Sequence, residues 1–421
     1  MSSDWPAYVQ NLGKSARRAS QQLATLTDAV RSRTLRTIAA ALRDQTAALL
    51  AENAKDIEAA KQAELAAPLI ARLQLTEKKV AAMAEGVEQI AAQVDPVGQT
   101  IEGYNRPNGL RIEKRRVPLG VVLFFYESRP NVTSDAAALC IKSGNAIILR
   151  GGKEAFHSNR KIVQIVADAL KASEIDPAAV QFVESTDRTL VPLLLKQDKY
   201  IDLVIPRGGE SLIRLVVKES TIPVLKHFTG NCHIYVDKAT AGMEQQVVDI
   251  CLNAKLSYTA ACNAVEHLLF HKDVAPALLP KVCAALAAKG VEIRGDDRAR
   301  SLFTAAKAAT PEDWDTEYLA LIAGVKVVDS LDEAVAHINE HGSHHTDAIL
   351  TTDLSAANRF VQQVDSASVM INSSTRFADG GEYGLGAEIG ISTDKMHARG
   401  PMGAMDLTTY KWVVTGAGHV R

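Results

Sequence analysis

Five thiols stand out among the side chains able to do chemistry in this 421-residue chain: Cys140, Cys232, Cys251, Cys262 and Cys283. No two are spaced as Cys-x-x-Cys, so neither a zinc ribbon nor a redox pair is legible. Cys140, Cys251 and Cys283 fall in apolar helical stretches and read as small buried hydrophobes. Cys262 differs. It stands in Ala260-Ala261-Cys262-Asn263-Ala264, between a predicted helix and a predicted strand, where a thiol can be exposed and tuned as a nucleophile. Cys232, in Gly230-Asn231-Cys232-His233, is its rival.

Glycines and cations form the second set. Gly384, Gly386 and Gly390 approach a dinucleotide fingerprint, but the spacing is wrong and they do not join a strand to a helix. Pro206-Arg207-Gly208-Gly209 does join a strand to a helix, so its backbone N–H groups either hold a phosphate or make an ordinary turn. Ile148-Leu149-Arg150-Gly151-Gly152-Lys153 is a second strand-end loop, with two cations beside glycines. His341, His344 and His345 with Asp347 have the look of a metal cluster, but adjacent histidines on a strand face apart, and no metal is expected.

The elements that must position these residues come in three kinds. Residues 9–25, 29–53, 56–65 and 77–94 read as helices from their apolar spacing. Residues 104–117, with an Asn108-Gly109 turn, read as a charged hairpin with little core of its own, which points to pairing with another subunit. From Pro118 onward strands and helices alternate, first to about residue 219 and again from 242 to 372, with a boundary near 236–241. Alternation of this kind means α/β architecture, mostly parallel sheets with ligands at the carboxyl ends of the strands. Residues 377–405 are Gly-rich and too irregular for core, and 407–415 end the chain as a strand.

Composition narrows the function classes. The 47 Lys and Arg against 49 Asp and Glu give a formal net charge of −2, which offers no reason to expect nucleic acid or an anionic membrane as partner. The longest strongly apolar run, residues 119–126, is far short of the ~20 residues of a membrane helix. The first residues hold no apolar stretch for a signal peptide, so a cytoplasmic location is expected.

The motifs then resemble one family from end to end. Tyr126-Glu127-Ser128-Arg129-Pro130-Asn131-Val132-Thr133-Ser134-Asp135 is similar to a signature of the gamma-glutamyl phosphate reductases, a branch of the aldehyde dehydrogenase superfamily. So are Lys142-Ser143-Gly144-Asn145, Arg150-Gly151-Gly152-Lys153-Glu154, Val204-Ile205-Pro206-Arg207-Gly208-Gly209 and Cys262-Asn263-Ala264 with Glu266. Residues 374–382, 384–393 and 397–403 continue the match. Ahead of the cysteine, Lys255-Leu256-Ser257-Tyr258-Thr259 replaces a Gln-Arg-Pro-like turn more usual in the family.

The resemblance implies an aldehyde-dehydrogenase-like α/β fold. Residues 1–102 and 118–236 would form a Rossmann-type cofactor domain and 237–372 a catalytic domain. Residues 103–117 and 406–421 would form a β oligomerisation arm, and 373–405 would return to the active site. The implied reaction is NADPH-dependent reduction of L-glutamyl 5-phosphate to glutamate 5-semialdehyde in proline biosynthesis, through a thioester on Cys262. Asn131 would supply an oxyanion donor, or else cap the helix that follows. Arg150 and Lys153 would lie by the adenosine ribose and favour NADPH, Gly208 and Gly209 by the pyrophosphate, and Glu317 on the nicotinamide ribose, unless it is a surface carboxylate. Arg129, Arg376 and Arg399 would hold the substrate's anionic groups. His227 falls where hydrolytic members carry a Glu base, and would shuttle a proton or serve structure. A homo-oligomer is implied, and the lability of an acyl phosphate suggests transient contact with glutamate 5-kinase. The rivals are a hydrolytic aldehyde dehydrogenase and a catalytically silent binding protein on the same scaffold.

Overall fold

The computed structural model describes residues 4–127 and 129–421; Ser128, inside the first of the family motifs, and the side chain of Pro68 lie outside that description. The chain divides into two compact units. The first comprises Met1–Lys226, Gly384–Ile391 and Met396–Arg421, the second His227–Tyr383 and Ser392–Lys395.

In the first unit the apolar spacing closes Trp5–Leu23, Asp28–Asp44, Thr46–Gln62 and Glu77–Ala92 into helices. The helix expected over 29–53 is in fact two. It breaks at Gln45, and the Thr46 hydroxyl donates back to the carbonyls of Leu42 and Arg43 at 3.2 and 2.8 Å. Asn53, read as the stop, is buried mid-helix. Its amide donates to the Leu73 carbonyl and to Ser158 Oγ, both at 3.0 Å, and accepts from the Leu75 N–H at 2.8 Å. A side chain that competes with helix when solvated is accommodated inside one when tertiary partners satisfy it.

Four parallel strands follow in the order Val180–Phe182, Ala146–Arg150, Val121–Phe125, Leu203–Pro206. Every residue of Val121–Phe125 is buried, as a parallel strand covered on both faces must be. The winding reverses between Val121–Phe125 and Leu203–Pro206, so the ligand crevice of this sheet lies beyond their carboxyl ends. The helix Asn131–Lys142 ends in the fully buried Lys142. Its ammonium donates to Asp28 Oδ1 at 2.6 Å, Ser32 Oγ at 3.0 Å and the Ala91 carbonyl at 3.2 Å, tying three helices together.

Thr100–Asn105, Arg111–Pro118 and Thr408–Thr415 make a three-stranded antiparallel sheet in that order, the hairpin and the terminal strand read from the sequence. Tyr410, Trp412 and Val414, at alternate positions on one face, are about half exposed. The Gly-rich segment departs from expectation: Ile389, Ala398 and Met402 are buried in the first unit's core, and the Ile389 N–H donates to the Met402 carbonyl at 3.0 Å. Single apolar residues between glycines carry no periodicity from which burial could be read.

The second unit is built on seven parallel strands in the order Lys307–Ala308, Glu292–Gly295, Ile322–Val328, Val265–His271, Cys232–Val236, Thr346–Leu350, Ser368–Ile371. Cys232–Val236 is wholly buried within this sheet, so the boundary expected near Val236 falls instead between Lys226 and His227. A short strand that opens on Cys and His lacks the apolar run by which its neighbours were found. The α/β class and the parallel sheets are as the sequence implied. Among the described residues no helix is long and apolar enough to cross a membrane.

Replacing Lys142 by Met keeps most of the apolar stem and removes the charged donor. The expected loss is about 1.5–3 kcal/mol of stability, the range for hydrogen bonds to a charged group, read from urea denaturation; an unchanged midpoint contradicts the tie.

Candidate active site

The Cys262 loop is pinned at both ends by one buried ion pair. Helix Glu244–Leu256 places Lys255 inward, strand Val265–His271 places Glu266 inward, and Lys255 Nζ lies 2.5 Å from Glu266 Oε2 with both side chains fully buried. Burial raises the Glu266 carboxyl and lowers the Lys255 ammonium, and each charge opposes the shift of the other. The substitution that departs from the family turn thus supplies the cation Glu266 requires. Glu266 Oε1 also accepts the Leu319 N–H at 3.3 Å, and Glu317 acts on both members of the pair through its charge.

Within the loop the Ala264 N–H donates to the Ala261 carbonyl at 2.9 Å, and the Asn263 amide donates to the Ala378 carbonyl at 2.9 Å. Arg376 Nε donates to Ser257 Oγ at 3.1 Å, and its guanidinium lies 5.9 Å from the Tyr258 ring centroid. Cys262, Glu317 and Arg376 are therefore gathered in the second unit around this loop and its anchors. Cys262 is half-buried, while the other four thiols are buried and burial pushes each of them up. The rival Cys232 donates its S–H to the Cys262 carbonyl at 3.2 Å and so supports the loop. Gly230 presses on the same carbonyl, and a Cβ there would strike the Cys262 backbone.

Two imidazoles complete this cluster. Ligand atoms of His227, Cys262 and His345 all lie within 4.8 Å of one another, and the two rings meet edge to face at 5.5 Å. The histidines grouped by sequence proximity separate: His341 Nδ1 lies 2.9 Å from Asp315 Oδ1 and His344 Nδ1 lies 2.7 Å from the Asp365 carbonyl. Asp347 instead accepts the His233 N–H at 2.7 Å. The cluster forms at the amino ends of three adjacent strands, not at the carboxyl ends that α/β sheets usually offer.

The first unit carries the remaining candidates. Asn131 opens its helix, exposed, and its amide donates to Asp135 Oδ2 at 3.1 Å. Burial pushes the Asp135 carboxyl up to about 6, against the pull of the Asn131 hydrogen bond and the Arg207 charge. Arg207 also pairs with Glu388 at 3.4 Å. Arg150, half-buried, turns to the carbonyls of Thr186 and Asp187 at 3.4 and 3.3 Å, and Lys153 is exposed in the turn before helix Phe156–Ala172. Arg129 and Arg399 are half-buried in this unit. Glu127 is a participant the sequence did not reveal. Its Oε1 accepts the Gly209 N–H at 2.7 Å, capping the turn into helix Glu210–Glu219, and a Cβ on Gly208 would meet it at 3.1 Å.

Removing the Asn131 amide takes away a donor to the ionised Asp135. Asn131→Ala should therefore raise the Asp135 pKa further above 6, seen by carboxyl carbon NMR titration; a lower value would contradict this geometry.

Comparison with known proteins agrees with this architecture. Residues 5–306 match the aldehyde dehydrogenase family. The chain is 49% identical over 420 residues to a gamma-glutamyl phosphate reductase of Rhodopirellula baltica, covering 100% of this chain and 96% of that protein. It is 49% identical over 415 residues to the same enzyme of Geotalea daltonii, covering 98% of each. The crystal structure of the Thermotoga maritima gamma-glutamyl phosphate reductase superposes with a TM-score of 0.95 at 43% identity, covering 98% of this chain and 99% of that one. The half-buried thiol on its anchored loop thus stands in a chain that belongs to the aldehyde dehydrogenase family of oxidoreductases, in its gamma-glutamyl phosphate reductase branch.

Proposed function

We propose that this chain reduces L-glutamyl 5-phosphate to L-glutamate 5-semialdehyde with NADPH, releasing phosphate, as a step of proline biosynthesis. The observation that carries the reading is Cys262: half-buried on a loop held at both ends, in a chain nearly half identical to named gamma-glutamyl phosphate reductases over its whole length.

The Cys262 thiolate attacks the acyl carbon. A C–S bond forms, the C–O bond to phosphate breaks, and phosphate leaves with that electron pair. NADPH, when bound, supplies the hydride that the thioester accepts. The tetrahedral adduct then collapses to aldehyde, the C–S bond breaks, and Cys262 regains its electron pair. Asn131 is the proposed donor to the oxyanion formed in each half; its exposed amide is held by Asp135. His227 stands where hydrolytic relatives carry a Glu base, which fits a site that keeps water from the thioester.

Arg150 and Lys153 are the proposed holders of the ribose and its 2′-phosphate. They fit that group: Lys153 is an exposed cation beyond the end of strand Ala146–Arg150. A pyrophosphate at Gly208 and Gly209 would replace the Glu127 carboxylate on the Gly209 N–H. Glu317 is proposed for the nicotinamide ribose. Arg129, Arg376 and Arg399 are proposed for the substrate's carboxylate and phosphate. The half-exposed row Tyr410, Trp412 and Val414 suits a second copy of the chain, which supports a homo-oligomer through the arm. Cytoplasmic location and transient contact with glutamate 5-kinase complete the proposal.

Glutamate 5-semialdehyde, phosphate and NADP⁺ mixed with the protein should yield NADPH in a phosphate-dependent way, and Cys262→Ala should abolish it. Turnover indifferent to phosphate would instead mark a hydrolytic enzyme. Asn131→Ala is expected to lower kcat by about 10²–10³, the cost of one oxyanion donor. Lys153→Glu should shift the ratio of kcat/KM values toward NADH by roughly tenfold or more, a change of ~1.4 kcal/mol.

A further inference from the structure

The geometry points to a divalent-cation site over the nucleophile, formed by Cys262, His227 and His345 and suited to zinc. Three segments distant in sequence enter three adjacent parallel strands: 227–231 before Cys232–Val236, the thiol loop before Val265–His271, and 342–345 before Thr346–Leu350. Parallel neighbours lie about 4.8 Å apart, so residues just ahead of their first pairs are brought together. One thiolate and two imidazoles are a soft set that selects zinc over magnesium or calcium.

The fit is close. The ligand atoms lie within 4.8 Å of one another. Bonds of about 2.0–2.3 Å in a tetrahedron place ligands roughly 3.5 Å apart. Side-chain rotation closes that gap, and His227 and Cys262, both half-buried, have room to make it. Thr346 Oγ1, 2.9 Å from His345 Nδ1, holds that ring as outer partners hold ligating imidazoles. Cys232 fixes the Cys262 carbonyl from behind. Three protein ligands leave a fourth position to water.

A cation here takes up the thiolate's lone pair. Resting on the reductase reading above, this makes it a reversible off state in which Cys262 is bound and protected but cannot attack the acyl phosphate.

Binding can be read without activity. Equilibrium dialysis of the full chain against Zn²⁺ should show one high-affinity cation, and Co²⁺ in its place should give a thiolate-to-cobalt charge-transfer band. Alkylating Cys262 in the wild-type protein should erase the band. Cys262→Ser and His227→Gln should each weaken binding by more than the roughly 10–100-fold cost of losing an outer-shell partner. His419→Gln, on the arm, should leave it intact. In the phosphate-dependent assay Zn²⁺ should inhibit, and a chelator should restore turnover. A missing cobalt band, or Zn²⁺ binding that survives alkylation, overturns the site. Stoichiometric binding with undiminished turnover overturns the off state alone.

Discussion

Parallel pairing of Cys232–Val236 between Val265–His271 and Thr346–Leu350 is the constraint on which the reactive centre depends. In a parallel sheet all strands point the same way, so the residues that lead into them share one edge. That edge is where the Cys262 loop, Gly230 and His345 sit. Shifting the register by one residue would turn every side chain to the opposite face and dissolve the cluster. The sheet is buried along these strands, and burial is what makes the register firm.

The Lys255–Glu266 pair works at the next level. Breaking one member of a fully buried pair leaves a charge without water, a cost of several kcal/mol. The helix and the strand that flank the thiol loop therefore cannot drift apart independently. The rest of the loop's order is local: the Asn263 amide on the Ala378 carbonyl, Arg376 on Ser257, and the Cys232 thiol on the Cys262 carbonyl. The glycine-rich segment contributes through its backbone and Arg376, so its irregularity is what lets it follow the loop.

The first unit shows the same division between what a pattern reveals and what it hides. The alternation of strands and helices was legible because each buried strand is a short apolar run and each helix keeps its 3.6-residue spacing. The break at Gln45 was hidden, because the polar residue that signalled a helix end, Asn53, is satisfied by Leu73, Leu75 and Ser158, partners that sequence order does not reveal. Glu127 escaped notice for a like reason: only the folded chain brings its carboxylate to the Gly209 amide.

Sequence by itself determined the α/β class, the loop position of Cys262, the antiparallel arm and, through motifs spread over the whole chain, the family. These are properties of local spacing and residue type, which survive without coordinates. The tertiary structure decided which thiol supports and which stands half-exposed. It decided that His345 faces Cys262 while His341 and His344 turn elsewhere, and that Cys232–Val236 belongs to the second unit. The physical reason is that burial, strand register and charge pairing arise between residues far apart in the chain, and one sequence read along its length does not show which of them will meet.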